Sequence, residues 1–486
     1  SKIQNKTIQC PSHSHTEEEF LKKIITFVQI IIRAYKTLTA SDCMGTIADF
    51  VAQHINDDTS KLLLNAGKWP EVDMELAVNC IESRRKLRGK LNEWYMNPDL
   101  IFPVKLSAEQ CSSSATGKYK AELAQRIITE TSADGFDGTW RIADLTGGLG
   151  ADSWFFSQFA SEVLYNEMNT VLCNATEHNF NILNASNIIV SNHAVVPSES
   201  INGIDGQYHA SPGYILQNFK PDMIYMDPAR RGEGGKKVFL IEECSPDILS
   251  MKEELLSICR HLLVKLSPMA DISMVCSRIG NCCREVHVTA TGGECKELLI
   301  WIDREWDSEY TITAAELPSD YPASPPATFR FSPSEEKAGR AVLAEKSDAI
   351  YIFEPGKALM KAGAFNLISE RFSLKKLGKS THYYMIGAET ESRIVQNLSG
   401  LGKLYEIADC RQLDKRSIRE VGKNYPEAEV TARNIPMDTD TLRKRLRVRS
   451  GNGIHVFGLR SDLEGNLLIT AKRSQVTGFP DDQKES

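Results

Sequence analysis

Within the 486-residue chain, one stretch sets glycines directly after an acidic strand end. It reads Asp144-Leu145-Thr146-Gly147-Gly148-Leu149-Gly150, between Arg141-Ile142-Ala143 and a helix starting at Ala151 or Asp152. Glycines let a backbone turn sharply and approach a ligand closely, and a helix N-terminus offers unpaired N–H groups. A tight strand-to-helix turn is the plain alternative. The spacing is not G-x-G-x-x-G, because Thr146 precedes a glycine pair. The next strand, Glu162 to Asn166, delivers Glu167 where a carboxylate can accept hydrogen bonds from the two ribose hydroxyls. Loop and glutamate together fit a nucleoside-binding half-sheet. Asp227, opening Asp227-Pro228-Ala229-Arg230-Arg231, ends a further apolar strand at the edge where such sheets place their chemistry. There it can position a nucleophile and take its proton, or simply cap the following turn. Arg230 and Arg231 suit an anionic group such as a phosphate or carboxylate.

The elements needed to hold these residues are legible as alternating short apolar runs and helical stretches from Trp140 onward, the signature of a parallel sheet covered by helices. Strands are predicted at 140–145, 162–167, 187–192, 222–227, 261–267, 284–289 and 297–303. Thr291-Gly292-Gly293 is too short for a parallel crossover, so the last of these strands folds back antiparallel. Residues 1–100 read as a helical region. It opens with a capping box at Thr16 and Glu19 and the periodic Phe20, Ile24, Phe27, Ile31 and Tyr35. Ser41 and Thr59 are candidate caps for two more helices. A last helix, through Met74, Ala77, Ile81 and Leu87, carries Arg84, Arg85, Lys86, Arg88 and Lys90, either a solvated face or a phosphate contact. Residues 311–333, with Pro318, Pro322, Pro325, Pro326 and Pro333, are predicted to be a linker between domains. Two smaller α/β domains follow, 334–398 and 399–486, the second ending in a polar tail.

Length allows about three domains. Charged residues at 25%, hydrophobic ones at 42% and a net charge of -7 describe an ordinary soluble chain and disfavour one that coats nucleic acid with its whole surface. The average hides an asymmetry. Residues 399–476 hold fifteen Lys or Arg against ten Asp or Glu, a net of +5 that leaves -12 on the remainder. Arg443, Lys444, Arg445, Arg447 and Arg449 are crowded into this module, which reads as a solvated face or a phosphate-backbone reader. Twelve scattered cysteines with no C-x-x-C pair suggest reduced thiols in a cytoplasm. The ten histidines show no metal-ligand spacing. No apolar run reaches the roughly twenty residues of a bilayer span.

The glycine loop, Glu167 and Asp227-Pro228-Ala229-Arg230 resemble motifs I, II and IV of class I S-adenosylmethionine-dependent methyltransferases, whose fold is a Rossmann-like seven-stranded sheet with an antiparallel last strand. The resemblance implies that Asp144, Thr146, Gly147, Gly148, Gly150, Glu167 and Asp227 border the cofactor. Asn192, at the end of the third strand, matches the place where a polar residue meets the adenine edge. Ser107 to Lys120, Lys265-Leu266-Ser267-Pro268, Gly293 to Leu299, Glu354-Pro355-Gly356-Lys357-Ala358 and Ala432-Arg433-Asn434-Ile435-Pro436 extend the likeness. They are similar to a bacterial methyltransferase family with a helical N-terminal region and C-terminal ferredoxin-like and THUMP-like domains.

Two reaction modes are disfavoured. Amino-methylating enzymes that stack a flipped base follow their strand-end Asp with Pro-Pro and an aromatic, where this chain has Ala229 and Arg230. Pyrimidine carbon-5 methylation needs a cysteine thiolate, which the related uridine enzymes place before Asn-Pro after the fifth strand; this chain reads Lys265-Leu266-Ser267-Pro268 there, leaving only Cys244 and Cys295 as alternatives. The expectation is therefore a cytoplasmic S-adenosylmethionine-dependent methyltransferase acting on tRNA or rRNA. In it Asp227 and Arg230 are catalytic, and Arg230, Arg231, Lys265, Arg443, Lys444 and Arg445 contact the substrate. A small-molecule O- or N-methyltransferase and a non-catalytic RNA-binding protein stay open as rivals.

Overall fold

The computed structural model describes residues 47–133, 136–201, 208–229, 244–348, 350–387, 392–451 and 453–474. The helix expected through Phe20 to Tyr35 and the cap expected at Ser41 lie outside them. Two compact units are present.

The first comprises the described residues from 47 to Cys111 together with 174–184, so the helical region extends past the expected boundary at 100 and includes a later segment. Its core joins Ile47, Val51, Leu62, Ala77 and Ile81. Asp58, not Thr59, is the cap of the helix Thr59–Leu64, accepting bonds from the Ser60 and Lys61 amides. Helix α1 (Met74–Leu87) is where expected, but its basic string is only in part a solvated face: Lys86 and Arg88 are exposed, whereas Arg84, Arg85 and Lys90 turn to backbone carbonyls. Arg84 is buried and donates to the carbonyls of Tyr95 (3.0 Å), Asn97 (2.6 Å), Pro98 (3.0 Å) and Leu100 (2.6 Å). Arg85 bonds the Ile55 carbonyl at 2.7 Å and that of Asp57. Lys90 reaches the carbonyls of Ala108 and Glu109. These cations satisfy backbone oxygens that no helix or ladder pairs.

The second unit is built on a sheet of nine strands: β1 (Arg141–Asp144), β2 (Glu162–Asn166), β3 (Ile188–Ser191), β4 (Met223–Met226), β5 (His261–Leu266), β6 (Cys283–Thr291), β7 (Glu294–Asp303), β8 (Thr311–Leu317) and β9 (Ala327–Phe331). Their spatial order is β9-β8-β6-β7-β5-β4-β1-β2-β3. All seven strands read from the sequence are present. β7 is antiparallel to both β5 and β6, and the β6–β7 turn holds Gly292 and Gly293 at φ of 61° and 78°, the left-handed conformations of a type I′ hairpin.

The predicted linker 311–333 is instead part of this sheet. β8 pairs parallel with β6, and β9 pairs antiparallel with β8. Pro318, Pro322, Pro325 and Pro326 occupy the connection between these two strands, and Pro333 opens the helix Pro333–Ala338. Proline was a correct sign of non-ladder backbone, but the interruption is a hairpin loop rather than a domain boundary.

Two helices position the crevice. α2 (Ser114–Thr131) starts in a capping box between Ser113 and Thr116, as its hydroxyl-rich approach suggests, and α3 (Ala151–Ser157) follows the glycine loop. β6 alternates Val286, Val288 and Ala290 in the apolar core with the equally buried Glu285, His287 and Thr289. One face of this interior strand is thus polar, and α2 bonds two of its residues, Tyr119 Oη to His287 Nδ1 at 2.8 Å and Arg126 to Glu285 at 2.6 Å.

Beyond β9, residues 342–473 form a single eight-stranded sheet rather than two separate ones. Its strands are β10 (Val342–Leu343), β11 (Tyr351–Pro355), β12 (Lys375–Lys376), β13 (Tyr384–Ile386), β14 (Gly402–Gln412), β15 (Glu429–Arg433), β16 (Ile454–Ser461) and β17 (Gly465–Arg473), in the order β10-β12-β13-β11-β14-β17-β16-β15. Helix α4 (Lys357–Ala362) follows β11 and begins beside β8. The Glu316 carboxylate accepts the Ala358 amide at 2.7 Å, and a Cβ on Gly356 would lie 2.1 Å from that carboxylate. No helix among the described residues is long and apolar enough to cross a membrane.

Candidate active site

The glycine loop leaves β1 with Leu145 buried and Thr146 to Gly148 partly exposed, so its backbone is open toward the carboxyl ends of the strands. Gly148 and Gly150 have φ of 54° and 84°, conformations that cost other residues steric strain. Gly147 is needed for a different reason. A Cβ there would lie 2.2 Å from the Tyr165 ring, and the Tyr165 hydroxyl bonds the Gly148 carbonyl at 2.7 Å. The Gly147 amide meets the Asn166 carbonyl at 2.8 Å.

Glu167 sits at the end of β2 against this loop. Its Oε2 accepts the Gly148 amide at 2.8 Å and its Oε1 the Asn169 amide at 2.7 Å. Burial raises its carboxyl pKa while these amides pull it down. Each carboxylate oxygen has a second acceptor site, so both remain able to receive a ribose hydroxyl. Asn192 is committed within the loop: its amide donates to the Glu167 carbonyl at 2.6 Å and accepts from Thr170 Oγ1 at 2.9 Å. These bonds brace Glu167.

Asp144 is fully buried at the end of β1, accepting from Ser153 Oγ at 2.7 Å and the Thr146 amide at 3.1 Å. Burial pushes its carboxyl up to about 8, against those two bonds. From its ordinary value near 3.8 to about 8, the folded chain keeps a proton that the unfolded chain releases. Stability from this group is therefore full below the lower value and is lost as pH rises to the upper one, at about 1.4 kcal/mol per pH unit. Asp144→Asn is expected to gain stability over the native protein by roughly that slope between pH 5 and 8. Urea unfolding at several pH values measures this, and parallel curves would show that Asp144 titrates ordinarily.

Asp227 follows β4. Its amide donates to Thr146 Oγ1 at 2.6 Å and its Oδ2 accepts from Lys265 Nζ at 2.6 Å. Thr146 thus ties the glycine loop to Asp227. Lys265, expected to touch substrate, is buried behind Asp227 with its side chain 5% exposed, whereas that of Asp227 is 30% exposed. Burial pulls the Lys265 ammonium down, but Asp227, Asp152 and Glu297 outweigh it and hold the pKa above the usual lysine value. Ala229 and Ser245 exchange two backbone bonds, of 2.7 and 3.0 Å. The roles expected for Arg230 and Arg231 fall outside the described residues.

The structure therefore brings Asp144, Thr146, Gly147, Gly148, Gly150, Glu167, Asn192, Asp227 and Lys265 to one edge of the first sheet. Arg443, Lys444 and Arg445 belong to the second. Helices α5 (Lys415–Asn424) and α6 (Thr439–Leu446) lie beside its far strands. Lys444 and Arg445 are exposed, but Arg443 is half-buried in bonds to Ser450 (2.9 Å) and Glu429 (3.4 Å). Sequence reasoning missed Asn166, whose buried amide bonds the Leu145 and His193 carbonyls at 3.1 and 3.0 Å and joins the turns after β1, β2 and β3. A lone polar residue closing the apolar run Val163-Leu164-Tyr165 was the available sign.

Residues 351–390 match the model of a ferredoxin-like domain, and residues 402–473 that of a THUMP domain-like family. A crystal structure from Porphyromonas gingivalis W83, described as a “putative methyltransferase”, superposes with a TM-score of 0.73 at 26% identity, covering 89% of this chain and 98% of that one. The first sheet is a class I methyltransferase sheet. Its seven strands β1 to β7 have that order, β8 and β9 extend it, and the ferredoxin-like and THUMP-like segments share the second sheet through the β11–β14 pairing. Fainter likenesses are the METTL16 methyltransferase domain (TM-score 0.31, 15% identity, 49% of this chain and 81% of that one) and a second protein so described, from Streptococcus mutans, solved with SAH (TM-score 0.25, 14% identity, 37% and 96%). Comparison with curated protein sequences gives no match.

Proposed function

We propose that the protein is a cytoplasmic S-adenosylmethionine-dependent RNA methyltransferase acting on tRNA or rRNA. The observation that carries this reading is Asp227, a partly exposed carboxylate at the end of β4, bonded through its backbone to the glycine loop and through its side chain to Lys265. The cofactor, when bound, supplies a methyl group activated on a sulfonium. The chain's part is to hold that group beside a nucleophile and take the nucleophile's proton. Gly147 and Gly148 bring the backbone close, Glu167 receives the ribose hydroxyls, and Asp227 orients the accepting atom and takes its proton.

RNA is favoured by the C-terminal module. Lys415, Arg419 and Lys423 recur every four residues on α5 and are exposed, as are Lys444, Arg445 and Arg447 at the end of α6. The two helices meet where a Cβ on Gly422 would lie 1.9 Å from the Leu446 carbonyl oxygen. This close crossing gathers both sets of cations on one part of the module, suited to a phosphate backbone.

Mass spectrometry of nucleosides from cells lacking the protein tests the proposal. Loss of one methylated nucleoside is expected, and an unchanged profile transfers the reading to a metabolite substrate. Glu167→Gln is expected to weaken cofactor affinity on the order of tenfold, the worth of a charge-assisted hydrogen bond. A calorimetric titration checks it, and unchanged affinity would remove Glu167 from the cofactor site.

A further inference from the structure

Behind Asp227 lies a group of charged side chains drawn from four elements. Lys120, on α2, bonds both oxygens of Glu297, on β7, at 2.8 and 3.0 Å and Ser112 Oγ at 2.8 Å, and it lies 3.3 Å from Asp152 Oδ1, at the start of α3. Asp152 Oδ2 accepts from Ser112 Oγ at 3.0 Å and from the Tyr225 hydroxyl at 2.8 Å. Lys265, on β5, completes the group through its 2.6 Å bond to Asp227. The side chains of Lys120, Glu297, Lys265 and Asp152 are at most 10% exposed. Asp227 alone opens to the crevice.

Holding these charges out of water is costly, and well-packed apolar residues of like volume commonly serve stability as well or better. The arrangement has a direction that stability does not require. Asp227 is bonded to Lys265 at 2.6 Å, Glu297 stands two residues from Leu299, which pairs with Lys265 across the β5–β7 ladder, and Lys120 is bonded to Glu297 and lies 3.3 Å from Asp152. With one cation already held between those two carboxylates, the Lys265 ammonium is bonded to Asp227. Without Lys120, two buried carboxylates would draw it inward.

We infer that Lys120 and Glu297 are positioning residues for methyl transfer: they fix Lys265 against Asp227 Oδ2 and so hold the carboxylate in the orientation that accepts the substrate's proton. This deepens the function proposed above and rests on it. The pair acts at a distance from the reacting atoms, through Lys265.

Lys120→Met alone would strand buried carboxylates and unfold the protein for reasons unrelated to transfer, so the pair is replaced together as Lys120→Met/Glu297→Leu, which leaves the group's net charge unchanged. Expected are a fall in kcat of at least tenfold, a cofactor KM within about twofold, and a cooperative thermal transition whose midpoint is lowered by the buried Asp152 that loses Lys120. A second measurement needs no activity. With lysine side chains labelled by ¹⁵N, Asp227→Asn shifts the Lys265 ammonium resonance in the native background, and the shift shrinks in the double variant. Native kcat in the folded double variant, or an undiminished shift, overturns the inference. A native protein that transfers no methyl group while the resonance behaves as expected overturns the proposed reaction and leaves the positioning of Asp227 standing.

Discussion

Asp227→Asn is expected to lower the rate of methyl transfer by on the order of 10²- to 10⁴-fold, the usual worth of a placed proton acceptor, with cofactor affinity within about twofold of the native protein. The amide keeps the shape of the side chain, and the backbone bond from Asp227 to Thr146 Oγ1 is untouched, so the glycine loop stays in register. The negative charge is what disappears. Lys265 then faces only Asp152 and Glu297 among the carboxylates that act on it, and the crevice loses the base that receives the nucleophile's proton. Single-turnover transfer of a labelled methyl group, run beside a cofactor titration on the same preparation, separates the two effects. Retained transfer would exclude Asp227 from the chemistry. Weakened binding with an unchanged transfer step would reassign it to the cofactor.

The largest effect on stability is expected at Arg84. Arg84→Met keeps the apolar stem but removes four hydrogen bonds to carbonyls of residues 95–100 and the guanidinium over the Phe102 ring. Unpaired buried carbonyls cost about 1–3 kcal/mol each, and such losses are not additive, so a loss of at least 3 kcal/mol from the first unit is the expectation. Arg84→Lys restores little, because one ammonium cannot reproduce the planar fork. Urea unfolding, with hydrogen exchange of amides 95–101, measures the outcome. A change under about 1 kcal/mol would mean that water replaces the guanidinium without penalty.

What sequence could and could not disclose follows from how local each signal is. The glycine loop, the strand ends and the β6–β7 turn are set by neighbours within ten residues, and all are present as read. Arg84 was legible in principle. It stands seven residues after Ala77 and three after Ile81, on the helix face that both bury, but five cations within seven residues suggested a surface. The prolines of 318–326 said correctly that the chain leaves the ladder, yet nothing local could say that it returns at Ala327 to pair with β8. Lys120 and Glu297 are 177 positions apart, and each looks like a solvated charge on an amphipathic element. Only the fold, which lays α2 over the polar face of β6 and β7, makes them partners. Lys265 was picked out for the right crevice and the wrong side of it, because spacing fixes where a residue sits along a strand but not whether it reaches solvent.

The apolar core that contains Val286, Ile300, Ala314 and Phe329 also contains Phe353, Leu359, Ile368, Leu398 and Leu404, and α4 is capped by Glu316 of β8. On the ribosome, this has a consequence in time. More than seventy residues separate the end of β9 from Leu404, which at about 5–20 residues per second is roughly 4–15 s of synthesis. Over that interval the nascent sheet has every strand it needs and still lacks the residues that finish its core, so the chain passes through a stage that holds its transfer centre in sequence and not yet in shape.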